Sequence, residues 1–293
     1  MTIEISVIVA TSKANDVIAA CLSALASQAK QNDAEVIVVE SAWKPVPDSV
    51  KNTFPEILFV TCADTDSHSE MKAVGIRAAQ GEIIALTQAH CIPQDNWLQM
   101  HRMAHRRLES SAIGGAVIIH LQATIAERVG FLCEYGKFNI KRSAGPASFL
   151  ASSNVSYKRR DLLEAMDDDY WETDIQRKLC QSGRGLWYLP DVTVIHHRKC
   201  TASRFLLEKF NYSRYFAARR FQHKGRAFLY AIGCVLLPVI VLTRLLITFY
   251  ENGKLYTEFM ICIPYVIAIS IAWTAGEFVG YIFGSGNSDK YFG

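Results

Sequence analysis

Residues 71–98 read MKAVGIRAAQGEIIALTQAHCIPQDNWL. Helical spacing over residues 69–79 gives way, after Gln80 and Gly81, to EIIALT, a β-branched run ending in Gln88, Ala89 and His90. A short continuous apolar run predicts a strand buried on both faces, and its polar end predicts side chains delivered to a site. The same alternation lies upstream, in ISVIVAT (5–11), a helical pattern over 15–28, EVIVVES (35–41) and ILFVTCA (57–63). Such strands separated by helices predict an α/β sandwich with a mostly parallel sheet, and ligands on such sheets bind at the carboxyl ends of the strands. Thr11, Glu40, Asp64 and the step from Gln88 to His90 all stand at those ends.

Beyond residue 112 come AIGGAVIIH, an acid-bearing helical stretch over 123–135, and a loop rich in Gly, Ser and Pro, SAGPASFLASSN, that can order over a substrate. Helical patterns resume at 161 and over 172–182, where Gly183 suits a helix end, and GLWYLPDVTVIHH closes the domain near 197. No internal repeat and no glycine-rich phosphate loop occurs; GIRAAQG lacks the required spacing.

Half of the residues are hydrophobic and the mean hydropathy is +0.11, high for a purely soluble protein. The excess is concentrated in 17 uncharged residues between 226 and 244 and 18 between 258 and 277. With their apolar extensions these predict a transmembrane hairpin, helices at about 227–250 and 258–284, with both ends cytoplasmic and ENGKLYTE as the far-side turn. The formal net charge of +3 conceals an asymmetry: residues 198–226 hold nine Lys or Arg and one acid, while the remainder holds 22 basic and 27 acidic residues. A basic, aromatic-rich block beside a hydrophobic hairpin predicts an interfacial amphipathic segment on anionic lipid at the cytoplasmic face, not a nucleic-acid site. The N-terminus lacks the pattern of a signal peptide, so the preceding domain is expected to stay in the cytoplasm. The expected divisions are 1–200, 201–226 and 227–293, the whole a multi-pass protein of the cell membrane. Eight scattered cysteines without a CxxC pair disfavour a zinc ribbon or a disulfide framework.

Four fragments, in order, resemble the family 2 glycosyltransferases, inverting nucleotide-sugar enzymes of the GT-A fold. SVIVATSKANDVIAACLSAL is similar to the opening strand, turn and helix, AEVIVVESA to the second strand with its acidic end, and residues 71–98 to the helix, strand and metal motif. YWETDIQRKLCQSGRGLWYLPDVTVIHH is similar to the catalytic helix and final strand. The resemblance covers roughly residues 4–197.

The resemblance implies that Thr11 and Glu40 hold the nucleoside of a UDP- or GDP-linked donor, with Lys72 near its phosphates. It implies that Glu172 is the general base and Asp174 the next acid, although Trp171 replaces the first acid of the usual pair. The usual metal-binding acids are replaced by Gln88 and His90; Gln88 is left to contact donor hydroxyls, and His90 with His196 or its neighbour His197 becomes the candidate ligand set. Imidazole ligands suit a divalent ion such as Mn²⁺ better than Mg²⁺. Trp97 and Asn154 match positions shaping the acceptor side. The Gln-x-x-Arg-Trp pattern of processive synthases is absent, so the expected reaction is transfer of one sugar to a lipid-linked acceptor. A homo-oligomer is compatible with this reading. The competing reading is a catalytically inactive GT-A subunit of a membrane glycan-assembly complex, because three acids of the usual motifs are missing.

Overall fold

The computed structural model describes residues 3–11, 17–62, 67–138, 142–168, 170–199, 201–220, 224–250 and 256–291. Asp64, the start of the first expected helix and most of the expected far-side turn lie outside them. Two compact units are formed: Met1–His120 with Phe138–Arg198, and Leu121–Lys137 with Lys199–Gly293. The first expected division, at residue 200, falls close to the later boundary, but residues 121–137 join the second unit, and residues 201–226 do not form a unit of their own.

The first unit opens with β1 (Ile5–Thr11), α1 (Ile18–Gln31), β2 (Ala34–Ser41), α2 (Asp48–Thr53), β3 (Leu58–Cys62) and α3 (His68–Ala78). Next come β4 (Ile83–Gln88), β5 (Cys91–Pro93), α4 (Trp97–Arg107) and β6 (Ala112–Ile119), after which α5 (Ile125–Tyr135) departs to the second unit. The chain returns through β7 (Gly145–Ala147), β8 (Asn154–Lys158), α6 (Arg159–Ala165), α7 (Glu172–Gln181) and β9 (Leu186–His196).

The sheet order is β3-β2-β1-β4-β8-β6-β9-β5, with β7 also on β9. Parallel pairing joins β1 to β2 and β4, β2 to β3, and β6 to β9, whereas β8 runs antiparallel between β4 and β6. Four of the five β8 residues are buried, so its periodicity carries no mark of direction; the connections set it. All seven residues of β1 are buried, as a strand covered on both faces requires. Ile8, Ile37, Val39, Met71, Ile76 and Leu86 form one core with Tyr157 and Leu186. Each such side chain contributes about 1.5–3 kcal/mol over its exposed state.

Register places the site. Thr11 lies opposite Glu40, and Ala10 opposite Gln88, so three strand tails end side by side. Cys91 pairs with His196, bringing the end of β9 to the turn that follows β4. Glu172 and Asp174 occupy the first turn of α7, where carboxylates complement the helix dipole, and Gly183 at φ +74° ends the helix in the left-handed conformation glycine tolerates.

In the second unit α8 (Ala202–Arg220) packs lengthwise and parallel on α11 (Tyr256–Phe283), with α9 (Lys224–Gly233) and α10 (Leu237–Tyr250) between them in sequence. The ring of Tyr230 meets that of Tyr281 at 6.0 Å and the Cys234 Sγ approaches the Thr274 carbonyl at 3.8 Å, so α9 runs antiparallel to α11. The expected first spanning helix is interrupted by a 3-10 turn at Cys234–Leu236. Among the described residues one helix, Met260–Phe283, is long and apolar enough to cross a membrane. The seven described cysteines are free thiols.

Candidate functional site

At the carboxyl edge of the sheet, Lys72 on α3 is buried with its ammonium 5.2 Å from the centre of the Tyr170 ring. Burial pushes Lys72 below its ordinary value, and the nearby Glu172 carboxylate is the largest influence in the opposite direction. Glu172 also raises Tyr157 and Tyr170, whose hydroxyls burial already holds protonated. The Tyr157 and Tyr170 hydroxyls are 3.0 Å apart, and Gln176 Nε2 donates to Tyr157 at 3.0 Å. Gln176 clamps both backbone groups of Leu150, donating to its carbonyl at 3.1 Å and accepting from its N–H at 2.8 Å. The helix that begins with Glu172 is thereby tied to the Gly/Ser/Pro-rich loop before β8.

Asp174 differs: its side chain is 48% exposed and pairs with Arg177 Nη2 at 2.9 Å, one turn along α7. The two acids of that first turn thus have separate environments, Glu172 with the buried ammonium and Asp174 with a surface guanidinium.

His90, in the turn after β4, packs its ring edge-on against His196 with centroids 4.9 Å apart. Burial holds the His90 imidazole well below its usual value, and His196, Arg198, His68 and Lys72 push the same way, so it is neutral near pH 7. His197 donates its backbone N–H to the His90 carbonyl at 2.8 Å, while its ring lies against His120 with centroids 4.0 Å apart. Between the two candidates left open by the sequence, His196 is the one paired with His90. Two imidazoles fit two positions around a borderline divalent ion, but among the described residues no group of three His, Cys, Asp or Glu side chains converges. Among the described residues these two imidazoles therefore form a partial ligand set.

Three expected residues are engaged with other groups of the protein. Glu40, 1% exposed, accepts from Val46 N at 2.7 Å, Lys51 Nζ at 2.6 Å and Thr61 Oγ1 at 2.9 Å. Both carboxylate oxygens accept bonds from the protein, fixing the loop after β2 and presenting the exposed Trp43 on it. Trp97 and Asn154 are fully buried: the indole N–H donates to Asn154 Oδ1 at 2.8 Å, and Asn154 Nδ2 donates to the Ala116 and Val192 carbonyls, each at 2.8 Å. They brace α4, β8, β6 and β9 against one another. Thr11 is buried at the end of β1 and Gln88 half-buried at the end of β4, adjacent in the sheet as expected.

Sequence reasoning missed Tyr157, Tyr170, Gln176, His68 and Arg198. Tyr170 precedes the Trp171-Glu172 step and offered a signal; Gln176 and Tyr157 offered none, since only packing joins them.

Residues 6–167 match the family described as Glycosyl transferase family 2, a stretch that ends before Glu172. No curated protein sequence matches the chain. Among solved structures, the mannosyltransferase PcManGT of Pyrobaculum calidifontis, in complex with GDP-Man and Mn²⁺, is 16% identical over 92% of this chain and 86% of its own, with a TM-score of 0.54. S. aureus TarS with UDP-GlcNAc is 14% identical at a TM-score of 0.52, over 68% of this chain and 59% of that one. GalNAc-T7 with UDP, GalNAc and Mn²⁺ is 12% identical at 0.53, over 71% and 46%. This chain thus spans about three-fifths of the TarS fragment. These neighbours share the GT-A arrangement of the sheet, and with more than half of its length matched the chain belongs to glycosyl transferase family 2.

Proposed function

We propose that the protein transfers a single sugar, with inversion, from a UDP- or GDP-linked donor to a lipid-linked acceptor at the cytoplasmic face of a membrane. The observation that carries this reading is the partition of the two acids on α7: Glu172 beside a buried cation at the carboxyl edge, Asp174 on the surface. In this reading Glu172 takes the proton of the acceptor hydroxyl as its oxygen attacks the anomeric carbon from the face opposite the departing diphosphate. Lys72 favours the carboxylate form of Glu172 and adds positive charge on the donor side. His90 and His196 would hold a divalent ion, Mn²⁺ in preference to Mg²⁺, which would supply positive charge against the departing diphosphate. Thr11 and Gln88, neighbours at the strand ends, contact the donor. The nucleotide sugars in the PcManGT and TarS structures, and the Mn²⁺ in PcManGT and GalNAc-T7, support the donor class and the ion.

The test is incubation of the full chain with UDP- and GDP-sugars and Mn²⁺, following nucleotide release. Slow donor hydrolysis is expected, with nucleotide release accelerated by lipid-linked acceptors that present a free sugar hydroxyl. Donor binding without turnover under every condition would leave the inactive-subunit reading.

A further inference from the structure

The second unit has two unlike faces along one helix. On one face of α11, Gly276 and Gly280 let α8 approach to backbone contact: a Cβ at Gly276 would fall 2.2 Å from the Phe210 carbonyl oxygen, and one at Gly280 2.3 Å from that of Arg214. Polar and charged groups line this seam. Lys209, paired with Glu134 of α5 at 2.8 Å, lies 5.8 Å from the Trp273 ring centre. Glu277 accepts from Trp273 Nε1 at 3.0 Å and from the Tyr281 hydroxyl at 3.1 Å, Arg220 donates to that hydroxyl at 2.7 Å, and Arg214 Nε donates to the Gly284 carbonyl at 2.9 Å. Residues 273–284 of the chain are thus committed to a helix carrying Glu208, Lys209, Asn211 and Arg214 in its middle.

The opposite face is apolar and uncovered. At about 100° per residue, the exposed Met260, Ile267, Ile271, Phe278 and Ile282 fall within an arc of about 60° that runs the length of α11. The neighbouring α9 and α10 expose Phe228, Leu229, Ile232, Val235, Leu236 and Val239. A crossing helix needs about 20 apolar residues for a core of about 30 Å. Setting aside 273–284 leaves α11 only residues 256–272, roughly 26 Å at 1.5 Å per residue, and the other apolar helical stretch, Phe228–Arg244, is also roughly 26 Å long, carries the 3-10 turn and ends at an Arg.

We propose that the second unit is monotopic: α9, α10 and α11 enter one leaflet of an anionic phospholipid bilayer and do not cross it, with α8 and α5 held on the aqueous side. The occupant is lipid because the uncovered apolar surface continues over three helices, and because the exposed basic residues Lys199, Arg204, Arg219 and Arg220 complement anionic headgroups. This replaces the spanning hairpin expected from hydropathy and rests on the membrane reading above.

Two measurements separate the two ideas. Flotation of the full chain with phosphatidylcholine vesicles, with and without phosphatidylglycerol, tests membrane binding: capture strengthened at least tenfold by the anionic lipid and weakened by salt is expected, and no flotation on either would overturn the membrane reading itself. Topology is read by an impermeant maleimide on sealed inside-out and right-side-out vesicles, scoring label added over the parent chain in N252C and N287C. Label at Asn252→Cys from the same side as Asn287→Cys, or from neither side until detergent is added, supports the monotopic arrangement. Label at Asn252→Cys from the far side alone overturns it while leaving the membrane reading intact.

Discussion

The first unit contains two buried, histidine-bearing polar clusters, and they differ in one respect that separates a scaffold from a site. Between α4 and the sheet, Ser156 Oγ bonds His101 Nδ1 at 2.7 Å and His105 Nε2 at 2.8 Å, beside the bond from Trp97 to Asn154. At the carboxyl edge, His90 and His196 stand with Lys72, Glu172 and Arg198. The first cluster buries neutral groups and satisfies most of them from within. The second gathers the charged Lys72, Glu172 and Arg198 around the two imidazoles, with the Glu172 carboxylate opposing the effect of burial on Lys72. Perturbed charges gathered at the strand ends of such a sheet point to a ligand or a reaction that uses them.

The sharpest way to break this comparison is one conservative change in each cluster. Glu172→Gln keeps shape and hydrogen bonding but removes proton acceptance, so turnover should fall roughly 10²- to 10⁴-fold with stability little altered. Asn154→Ala strips the Trp97 indole N–H and two carbonyls of their partner, and should cost about 2–4 kcal/mol in urea unfolding while the molecules that remain folded keep their turnover. Loss of turnover per folded molecule in Asn154→Ala would place that cluster in the reaction after all.

Acid offers the next test. Burial, reinforced by His105, lowers His101 to about 3, and burial lowers His105 to about 4, so each binds its proton more readily in the unfolded chain. Stability is therefore complete above the unfolded value of about 6.5 and declines as pH falls through the window between that value and the folded one. For His101 the loss at pH 4.5 should be about 2–3 kcal/mol, visible as a lowered urea midpoint. A midpoint unchanged between pH 7 and 4.5 would refute the buried neutral state.

How much of this was readable beforehand follows from the range over which each feature is determined. The strands of β1, β2 and β4 and the ends that carry Thr11, Glu40, Gln88 and His90 are local patterns, and they formed where the apolar runs stop. The direction of β8 and the departure of α5 into the second unit depend on distant partners and left no local mark. Family position put Glu40, Trp97 and Asn154 near ligands, but Lys51, Thr61 and the carbonyls of Ala116 and Val192, none of them deducible from spacing, claim their polar atoms. Hydropathy counted apolar residues on α11 correctly and could not reveal that α8 covers one side of it.

A finer test concerns the paired imidazoles. His90→Asp supplies an oxygen ligand, so the ratio of activity with Mg²⁺ to activity with Mn²⁺ should rise about tenfold, roughly 1.4 kcal/mol of altered preference, with part of the activity retained. His90→Ala should lose activity with both ions. Full activity of the unaltered protein in excess EDTA would remove the ion from the reaction and leave neutralisation of the diphosphate to Lys72 and Arg198.

The smallest expected effect is the most discriminating between neighbours. Asp174 sits two residues from Glu172 in the same helical turn, so any influence that acts through the turn as a whole, such as its dipole, reaches both. What separates them is direction: Asp174 meets Arg177 on an exposed surface, where an ion pair between adjacent turns is worth about 0.3–0.5 kcal/mol. Asp174→Asn should therefore shift stability by no more than about 0.5 kcal/mol, and that small shift should disappear in 0.5 M salt because exposed pairs are screened. Turnover should stay within about threefold of the parent, against the hundredfold or greater loss in Glu172→Gln. If the order of the two variants were reversed, the proton acceptor would be the surface carboxylate, and the buried ammonium of Lys72 would be a structural partner of Glu172 with no part in the reaction.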